Sequence, residues 1–275
     1  MNKTKILAFI ALGAILSACG SDEGTPPELV NSYPNTISPF DTISVKFKSE
    51  LVDLDKLDST NIVFNHGKLI KPKAATGKEL RFIGAKTTPG GLNYFEGGIS
   101  DSIEFKKIKN SDGYIKERTV FYFSTLPILD EEPNDSKTST SVKEIDAEKA
   151  ATEKNGVTFA GVLDHRIGVT DAGQTIYDVE DYYMIKLKGK DTLSITVTNR
   201  DALNIVIKGP EGIKDLTYQA PKKSNVLPLY VVGLDYLLTN PTSDPVPFYI
   251  NVTDNATTSP PNPYTIRIKV MKYKE

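Results

Sequence analysis

The chain has 275 residues, 39% of them hydrophobic and 25% charged, with a formal net charge of -2 and no tryptophan. That balance offers no basic face for a phosphate backbone, so nucleic acid is excluded as a partner class. A single cysteine, Cys19, excludes an internal disulfide framework.

Taken in chain order, Lys3 and Lys5 precede an apolar run from Ile6 to Ile15. At about ten residues it is half of the roughly 20 that a bilayer-spanning helix needs, and it has the layout of a secretory signal. Leu16-Ser17-Ala18-Cys19 closes the run, and this stretch resembles the lipobox of bacterial lipoproteins. The resemblance implies cleavage of a signal peptide at residues 1–18, with diacylglycerol on the Cys19 thiol and a further acyl chain, such as palmitate, on its new amino group. Two or more chains, at roughly 0.8 kcal/mol per buried CH₂, hold a protein stably on a lipid bilayer. Gly20 follows the cysteine where an inner-membrane lipoprotein of enterobacteria-like systems would carry Asp. The expected location is therefore the bacterial cell envelope, the outer membrane favoured over the inner. Cleavage would remove Lys3 and Lys5 and take the net charge from -2 to -4. Residues 19–27 read as the lipidated cysteine and a flexible tether, small, polar and proline-ended. Its eight residues after Cys19 reach about 28 Å when fully extended.

Residues 28–126 read as short strands. In Asp41 to Lys48, Ile43, Val45 and Phe47 alternate with Thr42, Ser44, Lys46 and Lys48, the period of a half-buried strand. The stretches 61–64, 79–83, 102–106 and 119–125 repeat the pattern, and Pro89-Gly90-Gly91, Gly97-Gly98 and Asp112-Gly113 punctuate them as turns. Many short strands without a long helical period predict a β-sandwich. Leu29-Val30-Asn31-Ser32-Tyr33-Pro34, the strand at 41–48, Val52 to Leu57 with Asn61 to Phe64, and the closing Phe121-Tyr122-Phe123-Ser124-Thr125 resemble bacterial Ig-like domains of the surface-layer type. Such domains are mostly spacers or adhesive modules and carry no catalytic residues.

Residues 127–131 are expected to be a linker, and 132–275 again read as all-β. Strands are predicted at 191–198, 203–208, 248–252 and 264–270, with Gly209-Pro210-Glu211-Gly212 as a turn. Ala147 to Lys154 is the one stretch of good helix formers. Glu132-Pro133-Asn134-Asp135, Gly161-Val162-Leu163, Asp178-Val179-Glu180-Asp181-Tyr182-Tyr183, Gly209 to Gly212 and Tyr264-Thr265-Ile266 resemble, in that order, the bacterial pre-peptidase C-terminal (PPC) domain, a jelly-roll-like sandwich found beside secreted proteases. The interval before Asp178 is longer than in that family, so an inserted loop is expected within 146–177. The whole chain is thus read as all-β: two β-sandwich domains in series after a cleaved signal.

Asp130, Glu132, Asn134 and Asp135 cluster within six residues, and Asp178 and Asp181 cluster again before Tyr182. In collagen-binding members of the PPC family an acidic linker and a D-x-x-D-x-Y segment fold together around calcium. By position the resemblance assigns Asp130, Glu132, Asn134, Asp135, Asp178 and Asp181 as ligands, with Tyr183 adding its backbone carbonyl. Asp stands at 130 where the family more often has Glu. The residue types agree with the assignment, since calcium takes six to eight oxygens and no sulfur or imidazole competes here for zinc. The other reading of the same acids is a solvated linker and a turn in which Asn134 and Asp135 cap backbone groups.

Catalysis has little support. The two histidines, His66 and His165, form no H-E-x-x-H spacing, and no G-x-S-x-G elbow occurs. Tyr218, Tyr230, Tyr236 and Tyr249 are either core residues or a binding face. The expected function is that of a non-enzymatic, lipid-anchored binding or adhesion module for protein or carbohydrate. An accessory partner of a secreted peptidase and a purely architectural spacer are the alternatives.

Overall fold

The structure is a computed structural model. It describes residues 25–272 apart from 31–34, 59, 65–73, 117–118, 131–133, 135, 140, 165–167, 177, 189–190, 200, 211–214, 221–226, 231–243 and 255–260. The expectations at Cys19, His66, Glu132, Asp135, His165 and Tyr236 therefore lie outside the described residues, as does the side chain of Tyr230.

The first half holds strands β1 (Asn35–Ile37), β2 (Ile43–Lys46), β3 (Ile62–Phe64), β4 (Ala74–Thr76), β5 (Glu79–Phe82), β6 (Lys86–Thr87), β7 (Asn93–Tyr94), β8 (Ser100–Phe105), β9 (Lys109–Asn110), β10 (Gly113–Tyr114) and β11 (Thr119–Thr125). They build a four-stranded sheet, β1-β11-β8-β3, and a three-stranded sheet, β2-β5-β4, with the ribbons β6-β7 and β9-β10 at the margins. Alternation decides what faces inward. Ile43 and Val45 are buried from β2, Leu80 and Phe82 from β5, Ile103 and Phe105 from β8, and Phe121 and Phe123 from β11. The rings meet edge-on across the sheets, Phe47 on Phe105 at 5.4 Å and Phe64 on Phe82 at 5.6 Å, an arrangement that adds to the roughly 1.5–3 kcal/mol each large apolar side chain gains on burial.

The second half holds β12 (Lys143–Ile145), α1 (Ala147–Thr152), β13 (Val157–Leu163), β14 (Gly168–Val169), β15 (Thr175–Ile176), β16 (Glu180–Leu187), β17 (Thr192–Asn199), β18 (Leu203–Lys208), β19 (Leu216–Ala220), β20 (Leu227–Tyr230), β21 (Val246–Thr253) and β22 (Asn262–Met271). A five-stranded sheet, β12-β16-β21-β18-β19, faces a four-stranded sheet, β13-β22-β17-β20. Their inner faces share a separate core that includes Phe159, Tyr183, Ile185, Ile195, Ile250 and Ile266. The fold is thus all-β, with two β-sandwiches along the chain.

The stretch 146–177, expected to contain an inserted loop, is mostly regular structure. Asp146 caps α1 by accepting the Lys149 amide at 3.0 Å. β13 then pairs with β22 over seven residues, and the hairpin β14-β15 follows.

The end of the first domain and the linker that follows it are paired in turn with the two halves. Ala160 donates its amide to the Pro127 carbonyl at 2.9 Å, Leu129 donates to the Ala160 carbonyl at 3.3 Å, and Gly98 donates to the Leu126 carbonyl at 3.0 Å. Gly97 lies where an added Cβ would come within 2.9 Å of the Ile128 amide, so glycine is what admits the linker there.

Candidate metal centre at the domain junction

The centre is built where the linker crosses the end of the second sandwich. Asp130, after the segment paired with β13, turns its carboxylate back to accept the Val162 amide at 3.0 Å and the Asn134 side-chain amide at 3.2 Å. Four residues on, Asn134 accepts the Tyr182 amide on its backbone carbonyl at 3.2 Å. Asp130 is thereby tied to one sheet and Asn134 to the other. From the far side come Asp178, just before β16, and Asp181 within it.

Asp181 is set inward by strand periodicity. On β16 the residues Asp181, Tyr183, Ile185 and Leu187 point to the core, and Lys186 faces solvent. An aspartate thus takes the first core-facing position of a strand whose later ones are Tyr, Ile and Leu, a placement that is costly for a charge unless it is compensated. Asp181, Asp178 and Asn134 are all at most 1% exposed. Asp130, Asp178 and Asp181 each offer a carboxylate oxygen, and these oxygens lie within 4.8 Å of one another. Among the described residues the Oδ1 atoms of Asn134, Asp178 and Asp181 are buried and meet no hydrogen-bond donor, while the same side chains are bonded through their other atoms.

Two unit charges 4.8 Å apart repel by roughly 3.5 kcal/mol at an effective dielectric of about 20, and three carboxylates make three such pairs. Oxygens bound to one calcium at about 2.3–2.6 Å can stand up to about 5.2 Å apart, so the three carboxylates fit around a single ion. With Asn134 supplying an amide oxygen, the donor set is all oxygen, which suits a hard cation and not zinc.

Two tyrosines floor the site. Tyr264 donates its hydroxyl to Asp181, and the Tyr183 and Tyr264 hydroxyls bond each other at 2.6 Å. Burial, followed by the negative charge of Asp181, pushes both phenols well above their ordinary pKa of 10.0, so each remains a neutral donor. Gly161 makes room for them, since a Cβ there would lie 2.4 Å from the Tyr264 hydroxyl and 2.7 Å from that of Tyr183.

The expectation for Tyr183 needs correcting in one respect. The Tyr182 amide points to Asn134, so by strand alternation the Tyr183 carbonyl turns the other way, toward Ile250 on β21. Its hydroxyl, not its carbonyl, reaches the neighbourhood of the carboxylates. Sequence reasoning gave no role to Tyr264 or Gly161, although both stand in motifs that carried the PPC resemblance. It also passed over Asp164. That residue, 4% exposed, donates its amide to Asp178 at 2.8 Å. Its carboxylate accepts the Gly90 amide at 2.9 Å and the Thr88 hydroxyl at 2.9 Å, both from the first sandwich. The tyrosines read as either core or a binding face divide: Tyr218 packs against the core, and Tyr249, paired with Met184 and Lys208, lies on the other side of its sheet from Phe248 and Ile250.

No protein-family model matches the chain, and no curated protein matches it. Solved structures do show similarity. The pre-peptidase C-terminal domain of collagenase from Bacillus anthracis is 14% identical, over 41% of this chain and 88% of that one, with a TM-score of 0.28. PliG from Salmonella Typhimurium, a periplasmic inhibitor of g-type lysozyme, is 10% identical over 47% of this chain and 99% of that one, with a TM-score of 0.27. SGBP-B of the Bacteroides ovatus mixed-linkage glucan utilization locus, solved with a mixed-linkage heptasaccharide, is 8% identical with a TM-score of 0.25; 85% of this chain is covered, and the match spans half the length of that protein.

Proposed function

We propose that this chain is a lipid-anchored protein of a bacterial envelope whose two sandwiches, braced by calcium at their junction, hold a protein or carbohydrate ligand without transforming it. The observation that carries the calcium part is the convergence of Asp130, Asp178 and Asp181 within 4.8 Å, with the Asn134 side-chain amide bonded to Asp130 beside them. Asp130, Asn134, Asp178 and Asp181 would hold the ion. Its charge would offset the repulsion among the carboxylates, and Tyr264 would keep Asp181 oriented by donating to it. Because Asp130 in the linker and Asn134 just after it are bonded to opposite sheets, and Asp164 joins Asp178 to Gly90 and Thr88, a filled site would stiffen the junction. A stiff junction suits a protein that presents one domain beyond another.

The anchor is supported by the basic start, the short apolar run and Leu16-Ser17-Ala18-Cys19. Mass spectrometry of the native N-terminus should find acyl chains on Cys19; an unmodified thiol on a freely diffusing protein rejects the anchor. Elemental analysis should find about one calcium per chain, and thermal melts should fall on chelation. At calcium 100-fold above its Kd, linkage gives about 2.7 kcal/mol. Coincident melts together with absent metal reject the brace. Pull-down from envelope extracts tests the binding role: a retained glycan or matrix protein supports it, whereas a co-purifying hydrolase favours the peptidase-accessory alternative.

A further inference from the structure

A cleft of about 230 Å³ lies between the two sandwiches, and its lining joins Ser38, Phe40 and Asp41 of the first half to Thr198, Tyr264 and Thr265 of the second; Tyr264 also carries its hydroxyl to Asp181, so it is shared with the carboxylate centre. The first wall is a tight turn. Asp41 donates its amide to the Ser38 carbonyl at 3.0 Å, and the Phe95 amide holds the Pro39 carbonyl at 2.9 Å. Phe40 leans on Tyr94 at 5.6 Å between ring centres, which fixes its ring at the cleft edge. The second wall follows from strand alternation. Val197 and Ile266 point into the core, so their neighbours Thr198 and Thr265 point out, and they stand directly opposite each other in the β17-β22 register. One step along the same face, Arg267 donates to the Thr196 hydroxyl at 3.4 Å, so the polar strip continues beyond the cleft.

We infer that this cleft binds a neutral saccharide, with one ring seated between Phe40, Asp41 and the Thr198–Thr265 pair and the rest of a chain running out over Thr196 and Arg267. The inference rests on the binding role proposed above and names its site and ligand class. A pyranose presents a C–H face that suits the π face of an aromatic ring, and adjacent hydroxyls that suit a carboxylate. Threonine hydroxyls both donate and accept, as sugar hydroxyls require. Asp41 is solvent-exposed, which leaves its carboxylate open to hydroxyl donors; partial desolvation raises its pKa from the ordinary value, against a backbone hydrogen bond from Ser38. An anionic ligand would be repelled by Asp41. The volume falls below the roughly 300–1,000 Å³ of sites that enclose drug-sized ligands, which fits one ring in an open-ended groove.

The test uses the full chain in detergent micelles and neutral tetrasaccharides of glucose, xylose, mannose, galactose and N-acetylglucosamine. Saturation-transfer NMR at millimolar sugar should show contact with at least one of them. Calorimetry should then show that Asp41→Asn weakens that sugar by about tenfold or more, the worth of one charge-assisted hydrogen bond. The pair Thr198→Val with Thr265→Val should weaken it comparably, with melting temperatures unchanged. No contact with any of the five sugars overturns the inference. Sugar binding that both variants leave intact overturns the cleft while the binding role stands, and release of shorter sugars overturns the two together.

Discussion

Asp181→Asn separates a metal ligand from an ordinary buried acceptor, because the two roles predict opposite orders of stability in the absence of calcium. Asn keeps an oxygen that can accept from Tyr264, so the bond to that hydroxyl is retained. What disappears is one charge within 4.8 Å of two others. Each of those pairs costs roughly 3.5 kcal/mol at an effective dielectric of about 20, so the change relieves up to about 7 kcal/mol of gross repulsion, reduced in practice by proton uptake. In chelator the variant should therefore melt at or above the parent. With calcium at about 100-fold its Kd the parent gains about 2.7 kcal/mol, or about 5–11 °C for a chain of this size, and the variant, short of a ligand, gains much less. The order of the two melting curves should reverse between chelator and calcium. Differential scanning calorimetry in both buffers reads this directly. A variant that melts below the parent in chelator, and rises with calcium by the same amount, would falsify the assignment of Asp181 as a ligand.

Three further outcomes follow from the same geometry. The Tyr183 and Tyr264 phenols have folded pKa values raised above the ordinary 10.0, so their contribution to stability is complete below pH 10 and is lost as pH rises through the folded values. Two such groups steepen the loss by up to about 2.7 kcal/mol per pH unit, and melts between pH 9 and about 11.5 should be shallower in Tyr264→Phe than in the parent. Gly161→Ala places a methyl 2.4 Å from the Tyr264 hydroxyl; overpacking of this kind costs about 1–3 kcal/mol, and a calorimetric scan should show the loss together with a weaker calcium response. Asp164→Ala removes the acceptor of Gly90 and Thr88, so small-angle scattering should report a larger radius of gyration and limited proteolysis should cut faster near 126–130, with the second core otherwise intact.

Strand placement was the most legible property of the sequence. Where one face is buried, period two is enforced by burial itself, and Ile43-Val45-Phe47 or Ile266-Ile268-Val270 cannot be read another way without exposing a core. The same periodicity contained the signal for Asp181, whose core-facing successors are Tyr183, Ile185 and Leu187. Partners far apart in sequence were not legible. Tyr264 meets Asp181 across 83 positions, a distance closed by the order β13-β22 in one sheet and β16-β21 in the other, which no local spacing encodes. Asp164 was missed for a related reason: its donors, Gly90 and Thr88, belong to the other sandwich.

The position of the carboxylates has its own physical logic. A linker leaving the first sandwich must cross the open end of the second, where its backbone polar groups would be buried without a strand ladder to satisfy them. Asp130 answers this on one side by accepting the Val162 amide, and Asn134 answers it on the other by accepting from Tyr182. Acidic and amide side chains are therefore suited to this crossing before any ion is considered, since their oxygens can take backbone donors where apolar groups cannot. The inward placement of Asp178 and Asp181 is different. Asp178 also takes a backbone donor, the Asp164 amide, but Asp181 occupies a core position that Leu or Ile could fill, and its charge adds to repulsion with Asp130 and Asp178. A purely structural crossing has no need of that third carboxylate, whereas an oxygen cage for a divalent cation does. Asp181 is accordingly the residue on which the two readings of the cluster part.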